Sequence, residues 1–185
     1  MPFTTKPPFK EILRRYQAFK DRIWRVIGQQ AVNFFKDNFT RQGFLDGGKV
    51  NRWRARSEQL FGKQKKRKRR NILIGTGTLR KSIRIVNWGK NFVTVGATPK
   101  NKEGDKNYAR IHNEGGTIIQ TPTEKQRAFF WRMFYMTKDE AWRGMAMSKT
   151  IRIRIPRRKF IGNSTDLNRE IERVIRLGIL KIFKK

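Results

Sequence analysis

Few residues in this sequence are equipped for chemistry. His112 is the single histidine, and Glu114 follows it in YARIHNEGG. A general base needs an orienting partner and a nucleophile or substrate group within hydrogen-bond reach, and the sequence offers neither beside His112. It reads as a packed or hydrogen-bonded structural histidine. The close carboxylate pairs, Glu103 with Asp105 and Asp139 with Glu140, both fall in segments that read as loops. A two-metal nuclease wants several acidic groups converging from core elements, and nothing in the pattern supports one. Cysteine is absent, which removes disulfides and thiolate ligands and fits assembly in a reducing cytosol. A lone histidine excludes a histidine-cluster metal site. The turn Gly75-Thr76-Gly77-Thr78 lacks the Lys-Ser/Thr that a phosphate-cradling loop needs. No catalytic residue, metal or cofactor is expected.

What the sequence does carry is charge. Lys and Arg number 45 against 14 Asp and Glu, a formal +31 over 185 residues. A compact chain so charged repels itself, which points to a polyanionic partner, nucleic acid first. The densest block is KQKKRKRR at 63–70, whose cations are Lys63, Lys65, Lys66, Arg67, Lys68, Arg69 and Arg70. Such blocks repel themselves. With the rest of the chain also basic, the expectation is a basic loop over 61–71 that contacts DNA or an acidic partner, rather than a merely solvated loop. Hydrophobic residues make up 37% and aromatics 12%, too much for a disordered polyelectrolyte. A membrane partner is not expected: no apolar run reaches the roughly 18 residues of a span, and MPFTTKPPF lacks a signal-peptide apolar region.

The elements that position these residues follow from hydropathy period. The length suits a single domain over 1–185. Residues 1–8, with three prolines, read as an extended N-terminal arm. From Phe9, apolar residues recur at three- and four-residue spacing through Ile12, Tyr16, Phe19, Ile23, Ile27, Ala31, Phe34 and Phe35. That predicts a core-facing helix to about Phe39, in which Gly28 marks a close contact or a bend. Residues 43–48 read as a loop, and NRWRARSEQL as a helical turn with Trp53 as a packing anchor. ILIGTGTLRKSI reads as scaffold: an apolar run, a turn relaxed by Gly77, then the start of a hairpin in which Leu79 and Ile83 pack. The hairpin pairs 82–86 with 92–96.

A short buried helix or strand starts at Tyr108 and breaks at Gly115-Gly116, and a strand follows over 117–120. Thr123 and Gln126 match a capping box. The helix they open carries Phe129, Phe130, Trp131, Phe134 and Tyr135, too many rings for one core, so a subunit interface is expected there. Residues 137–149 read as a mobile loop. IRIRI at 151–155 is a period-two strand, Phe160 and Ile161 plug the core, and Ser164, Thr165 or Asp166 caps a last helix. That helix is expected to bury Leu167, Ile171, Val174, Ile175, Ile179 and Ile182. The class is α+β: a small, mainly antiparallel sheet packed with a long N-terminal helix and a C-terminal helix.

Four stretches stand in a definite order: NRWRARS, ILIGTGTLRKSI, YARIHNEGG, and IPRRKFIG before the last helix. Together they make the chain resemble the virion morphogenesis or tail-completion proteins of tailed bacteriophages, the Mu-like G protein group. The matching residues are Ile72, Leu73, Thr76, Gly77, Leu79, Arg80, Ser82 and Ile83. They continue with Tyr108, Ala109, Ile111, His112, Gly115 and Gly116, then Ile155, Pro156, Arg158, Phe160 and Gly162. The resemblance implies a non-enzymatic structural protein of the virion, assembled in the host cytoplasm. It further implies a homo-oligomeric ring at the head–tail junction, joining the DNA-filled head to the tail. Other neck, connector and tail proteins would be its partners, and genomic double-stranded DNA would be touched through its backbone. Composition agrees with such a ring, which needs a basic lumen and apolar contacts that close on themselves. The run at 63–70 and the aromatic segment 123–136 depart from the motif set and read as lineage-specific contacts. The alternative is a free basic nucleic-acid-binding module.

Overall fold

The computed structural model describes residues 9–55, 71–99 and 108–183. The arm expected over 1–8 and the basic run at 63–70 lie outside the described residues. The chain begins with α1 (Phe9–Arg41), β1 (Gly43–Asp46), β2 (Lys49–Arg52), α2 (Thr78–Lys81), β3 (Ile83–Trp88) and β4 (Val93–Ala97). It continues with α3 (Tyr108–Glu114), β5 (Gly116–Gln120), α4 (Glu124–Thr137), α5 (Glu140–Met147), β6 (Ile151–Ile155) and α6 (Thr165–Phe183). The class is α+β, with the long first helix and the C-terminal helix as expected. The strands form three separate antiparallel pairs, β1–β2, β3–β4 and β5–β6, rather than one sheet. The described residues group into two compact units: 9–53, 71–99, 108–109 and 159–183 in the first, 54–55 and 110–158 in the second.

The first unit is built on the second half of α1. Ile27, Ala31, Val32, Phe34, Phe35 and Phe39 are buried there. A Cβ on Gly28 would lie 2.6 Å from Val93 and 2.7 Å from Ile85, so this glycine marks close contact between α1 and the β3–β4 pair. Phe39, fully buried, meets the rings of Trp53 at 5.4 Å and Phe160 at 5.2 Å. Burying each such side chain contributes about 1.5–3 kcal/mol.

Residues 43–48, expected as a loop, form the β1–β2 hairpin instead. Asp46 pairs with Lys49 across Gly47 and Gly48, both at positive φ. This is the backbone shape that two-residue hairpin turns require. Asn51 and Arg52 are therefore extended, not a helical turn, while Trp53 is buried as a packing anchor. The turn expected at GTGT leads into one helical turn, α2, begun from Gly77 at φ 76°. Leu79 and Ile83 are buried as expected. β3 and β4 pair from Ile83↔Ala97 to Trp88↔Val93, with an irregularity between Ile85 and Asn87.

The hairpin turn is fastened to the start of α6. The Asp46 carboxylate accepts from the Thr165 amide and hydroxyl, both at 2.9 Å. The Gly47 amide donates to Thr165 Oγ1, and the Gly48 amide to the Asp166 carboxylate. Ser164 caps the helix, accepting from the Leu167 amide at 3.4 Å while donating to the Leu45 carbonyl. Farther along, α6 runs antiparallel to α1: Gln30 bonds Glu170, and Phe19 packs on Gly178. Leu167 and Ile182 are buried, and Ile171, Val174 and Ile175 are half-buried. Ile179, expected in the core, is 41% exposed, because a helix packed on one neighbour covers one side only.

In the second unit α3 stops at Gly115, whose amide bonds the Ile111 carbonyl. β5 and β6 pair from Gly116↔Ile155 to Gln120↔Ile151. The capping box of α4 is present in both directions between Thr123 and Gln126. The mobile loop expected over 137–149 is instead largely the helix α5. Asp139 accepts from the Ala141 amide at 2.9 Å, and Trp142 and Ala146, one turn apart, are buried. A capped start and an apolar edge at four-residue spacing suffice for a helix that can pack on a neighbour.

Candidate subunit and nucleic-acid interface

The residues of the sequence motifs form two clusters, one in each unit. In the first unit, the stretch after Lys159 threads the core. Phe160 is buried on Phe39, its carbonyl accepts from Asn38 Nδ2 at 3.2 Å, and the Lys159 carbonyl accepts from Trp53 Nε1 at 2.7 Å. Asn38, itself fully buried, also accepts from the Leu45 amide. These bonds satisfy a buried side-chain amide that would otherwise be costly. The Lys159 ammonium sits 4.0 Å over the Phe44 ring. A Cβ at Gly162 would collide with the Lys159 side chain. Leu79 is buried beside this core, Ser82 donates to the Leu79 carbonyl, and Arg80 is half-buried on α2. Tyr108 packs half-buried against the same core, and burial raises the pKa of its phenol.

In the second unit, His112 and Arg158 meet. The Arg158 amide donates to the His112 carbonyl at 2.8 Å. The buried Arg158 guanidinium lies 3.3 Å from the Arg54 carbonyl through both Nε and Nη2. Burial, and next the Arg158 charge, hold the His112 imidazole below the usual histidine value. Gly115 has φ +79°, and a Cβ there would stand 2.9 Å from the Arg157 backbone nitrogen. Gly116 opens β5, paired with Ile155, and Pro156 follows β6. These contacts give the motif residues structural work. Among the described residues no three His, Asp or Glu side chains converge as metal ligands, and no helix is long and apolar enough to cross a membrane.

α4 is different. None of its residues is fully buried. Its rings divide into two groups. Phe129 and Phe130 each lie 6.0 Å from Trp142 of α5, and Arg127 reaches the Ala146 carbonyl. Trp131, Phe134 and Tyr135 pack mainly on one another, at 5.7–6.2 Å. Tyr135 is 65% exposed and Met136 71%. The five expected interface residues therefore share one helix, with Phe129 and Phe130 braced by α5 and Tyr135 open. Trp142, which braces them, was missed in the sequence because 137–149 reads as a loop. The signal was Asp139 followed by Trp142 and Ala146 at helical spacing. The cations Lys63, Lys65, Lys66, Arg67, Lys68, Arg69 and Arg70 lie outside the described residues.

Compared with known proteins, the sequence matches the phage virion morphogenesis family over residues 6–179. The chain belongs to the phage virion morphogenesis family. No curated protein and no solved structure matches it. Membership gives this phage morphogenesis protein a structural, virion-associated role. The matched span takes in both motif clusters and the whole of α4.

Proposed function

We propose that this phage morphogenesis protein is a non-enzymatic component of the head–tail junction that closes into a homo-oligomeric ring joining the DNA-filled head to the tail. α4 supplies apolar subunit contacts through Phe129, Phe130, Trp131, Phe134 and Tyr135. The cations at 63–70 face genomic DNA or an acidic neck, connector or tail protein. The observation that carries this reading is α4 itself: five large aromatic side chains on one helix with none fully buried. An aromatic surface of this kind marks a contact with another molecule, and repetition of one contact around an axis produces a closed ring. The formal +31 charge suits a channel that touches DNA through its backbone without reading sequence.

Electron microscopy of a particle containing this chain tests the reading. A ring at the junction, with α4 between neighbouring copies, is the expected result. Absence of the chain from the junction sinks the proposal. Tight, salt-sensitive DNA binding by a stable monomer would favour a free nucleic-acid-binding module instead.

A further inference from the structure

The three strand pairs are covered unequally. β1 buries Phe44, β3 buries Ile83, and Gly28 of α1 lies against β3–β4. No residue of β5 or β6 is buried. Ile118, Ile119 and Ile153 are all exposed, and Ile119 faces away from the other two, so both faces of this ribbon are open. An isolated two-stranded ribbon is marginal in water, and a further strand or a covering helix is what stabilises one. Each of its strands also has an outer edge with no partner strand among the described residues. Such an edge is a row of backbone amides and carbonyls, which specifies an extended chain as its occupant.

The two edges differ in charge. β5, GTIIQ, carries none; β6, IRIRI, carries Arg152 and Arg154, neither of them ion-paired among the described residues. The register sets Thr117 across from Arg154 and Ile119 across from Arg152. Antiparallel pairing of β6 with β6 of a second copy would set arginine across from arginine, which is destabilising. Pairing β5 with β5 avoids that cost but stops at two copies, with both β6 edges left open. Pairing β5 with β6 occupies both edges of every copy. It also repeats between copies the neutral-against-basic pairing that the hairpin already makes within itself.

We propose that, within the ring proposed above, β5 of one copy adds to β6 of the next, so that the hairpins form one antiparallel sheet running from copy to copy. A rotation axis along the strands keeps every β5 pointing one way and every β6 the other, so each junction is antiparallel, as inside the hairpin. Arg152 and Arg154 of all copies then stand on one face of the sheet. The inference rests on the ring reading, but not on α4 or on residues 63–70.

The test is made on the assembled particle. Electron microscopy that resolves strands is expected to show the hairpins joined into a continuous sheet around the ring. A ring whose hairpins stand apart, or are covered by a different protein, overturns the inference and leaves the ring reading intact. Absence of a ring overturns that reading, and this inference with it. Cysteine cross-linking gives a second readout, since the native chain has no cysteine. Opposed residues of an antiparallel pair stand about 4.5–5.5 Å apart at Cα, within disulfide reach. Particles are assembled from mixtures of Thr117→Cys or Ile119→Cys chains with Arg152→Cys or Arg154→Cys chains. An oxidised dimer band is expected in at least one of these mixtures and in no particle built from a single variant. A Thr117→Cys or Ile119→Cys chain that cross-links to itself overturns the inference in favour of a two-fold β5 pair. So does the lack of a dimer band in every mixture, in particles that carry the ring.

Discussion

The backbone amide of Arg158 donates to the carbonyl of His112 at 2.8 Å, so two stretches far apart in sequence are tied by one bond. Burial of the imidazole, and next the charge of the Arg158 guanidinium, keep it from taking up a proton readily. The sign of the pH effect follows. A depressed folded-state pKa means that the unfolded chain binds the proton first, so the neutral form of His112 favours folding. Stability contributed here is full above the unfolded value near 6.5 and declines as pH falls from there toward the lower folded value. Thermal midpoints at pH 8 and pH 6 should differ more in the native chain than in His112→Gln. Equal differences would mean that this site does not set the slope.

Phe160→Ala should be among the costliest single substitutions. The ring is 1% exposed and tilts on Phe39 at 5.2 Å. Truncating a buried phenylalanine costs about 3–5 kcal/mol. A shift of the urea midpoint with an unchanged slope is the expected signature. A loss under about 1 kcal/mol would show a core that collapses around the gap.

Asp46 should matter most at neutral pH. Its carboxyl is held below the ordinary range by hydrogen bonds from the Thr165 amide and hydroxyl, at the N-terminus of α6. That contribution is complete above the usual aspartate value near 3.9 and is lost as pH falls through the lowered one. Asp46→Ala should therefore be less stable than the native chain at pH 7. The gap in thermal midpoint should narrow on acidification, and a gap that stayed constant to strongly acid pH would contradict the assignment.

Two aromatic residues near α4 should separate folding from assembly. Trp142 is buried against Phe129 and Phe130, so Trp142→Ala should destabilise by about 3–5 kcal/mol. Tyr135 is open, so Tyr135→Ser should leave the thermal midpoint within about 0.5 kcal/mol equivalent. It should nevertheless weaken self-association measured by sedimentation. Self-association unchanged by Tyr135→Ser would remove that residue from the subunit contact.

Replacing Lys65, Lys66, Arg67, Lys68, Arg69 and Arg70 with serine should preserve folding and impair assembly or DNA retention. For binding to duplex DNA, each lost phosphate contact lowers the salt slope of log K by about 0.9. An unfolded variant would assign these cations a structural role instead.

The parts of the fold that were legible in the sequence are those where one local signal decides. α1 follows from apolar spacing, α4 from its capping box, and β3–β4 from alternation around Gly89. The β1–β2 hairpin was hidden because its strands are short and β2 is exposed throughout, although Asp46-Gly47 is a strong turn signal. α5 was hidden because its eight residues hold one large buried side chain, Trp142, and a poor helix former, Gly144, too little for a clear period. The structural roles of Leu79, His112 and Phe160 could be read from type and context. The burial of Arg158 could not, since its long-range partner is the carbonyl of Arg54.

The bond between His112 and Arg158 has a topological consequence. Everything between them, β5 through β6, leaves and returns at one pinned point, like a tab cut into the edge of a sheet of paper. Lengthening such an excursion costs little closure entropy once its base is fixed. The span 116–155 can therefore gain, lose or exchange segments between related chains without rethreading the helices and strands on either side. Sequence divergence between members of this family is expected to concentrate there, and the residues at the base of the tab are expected to change least.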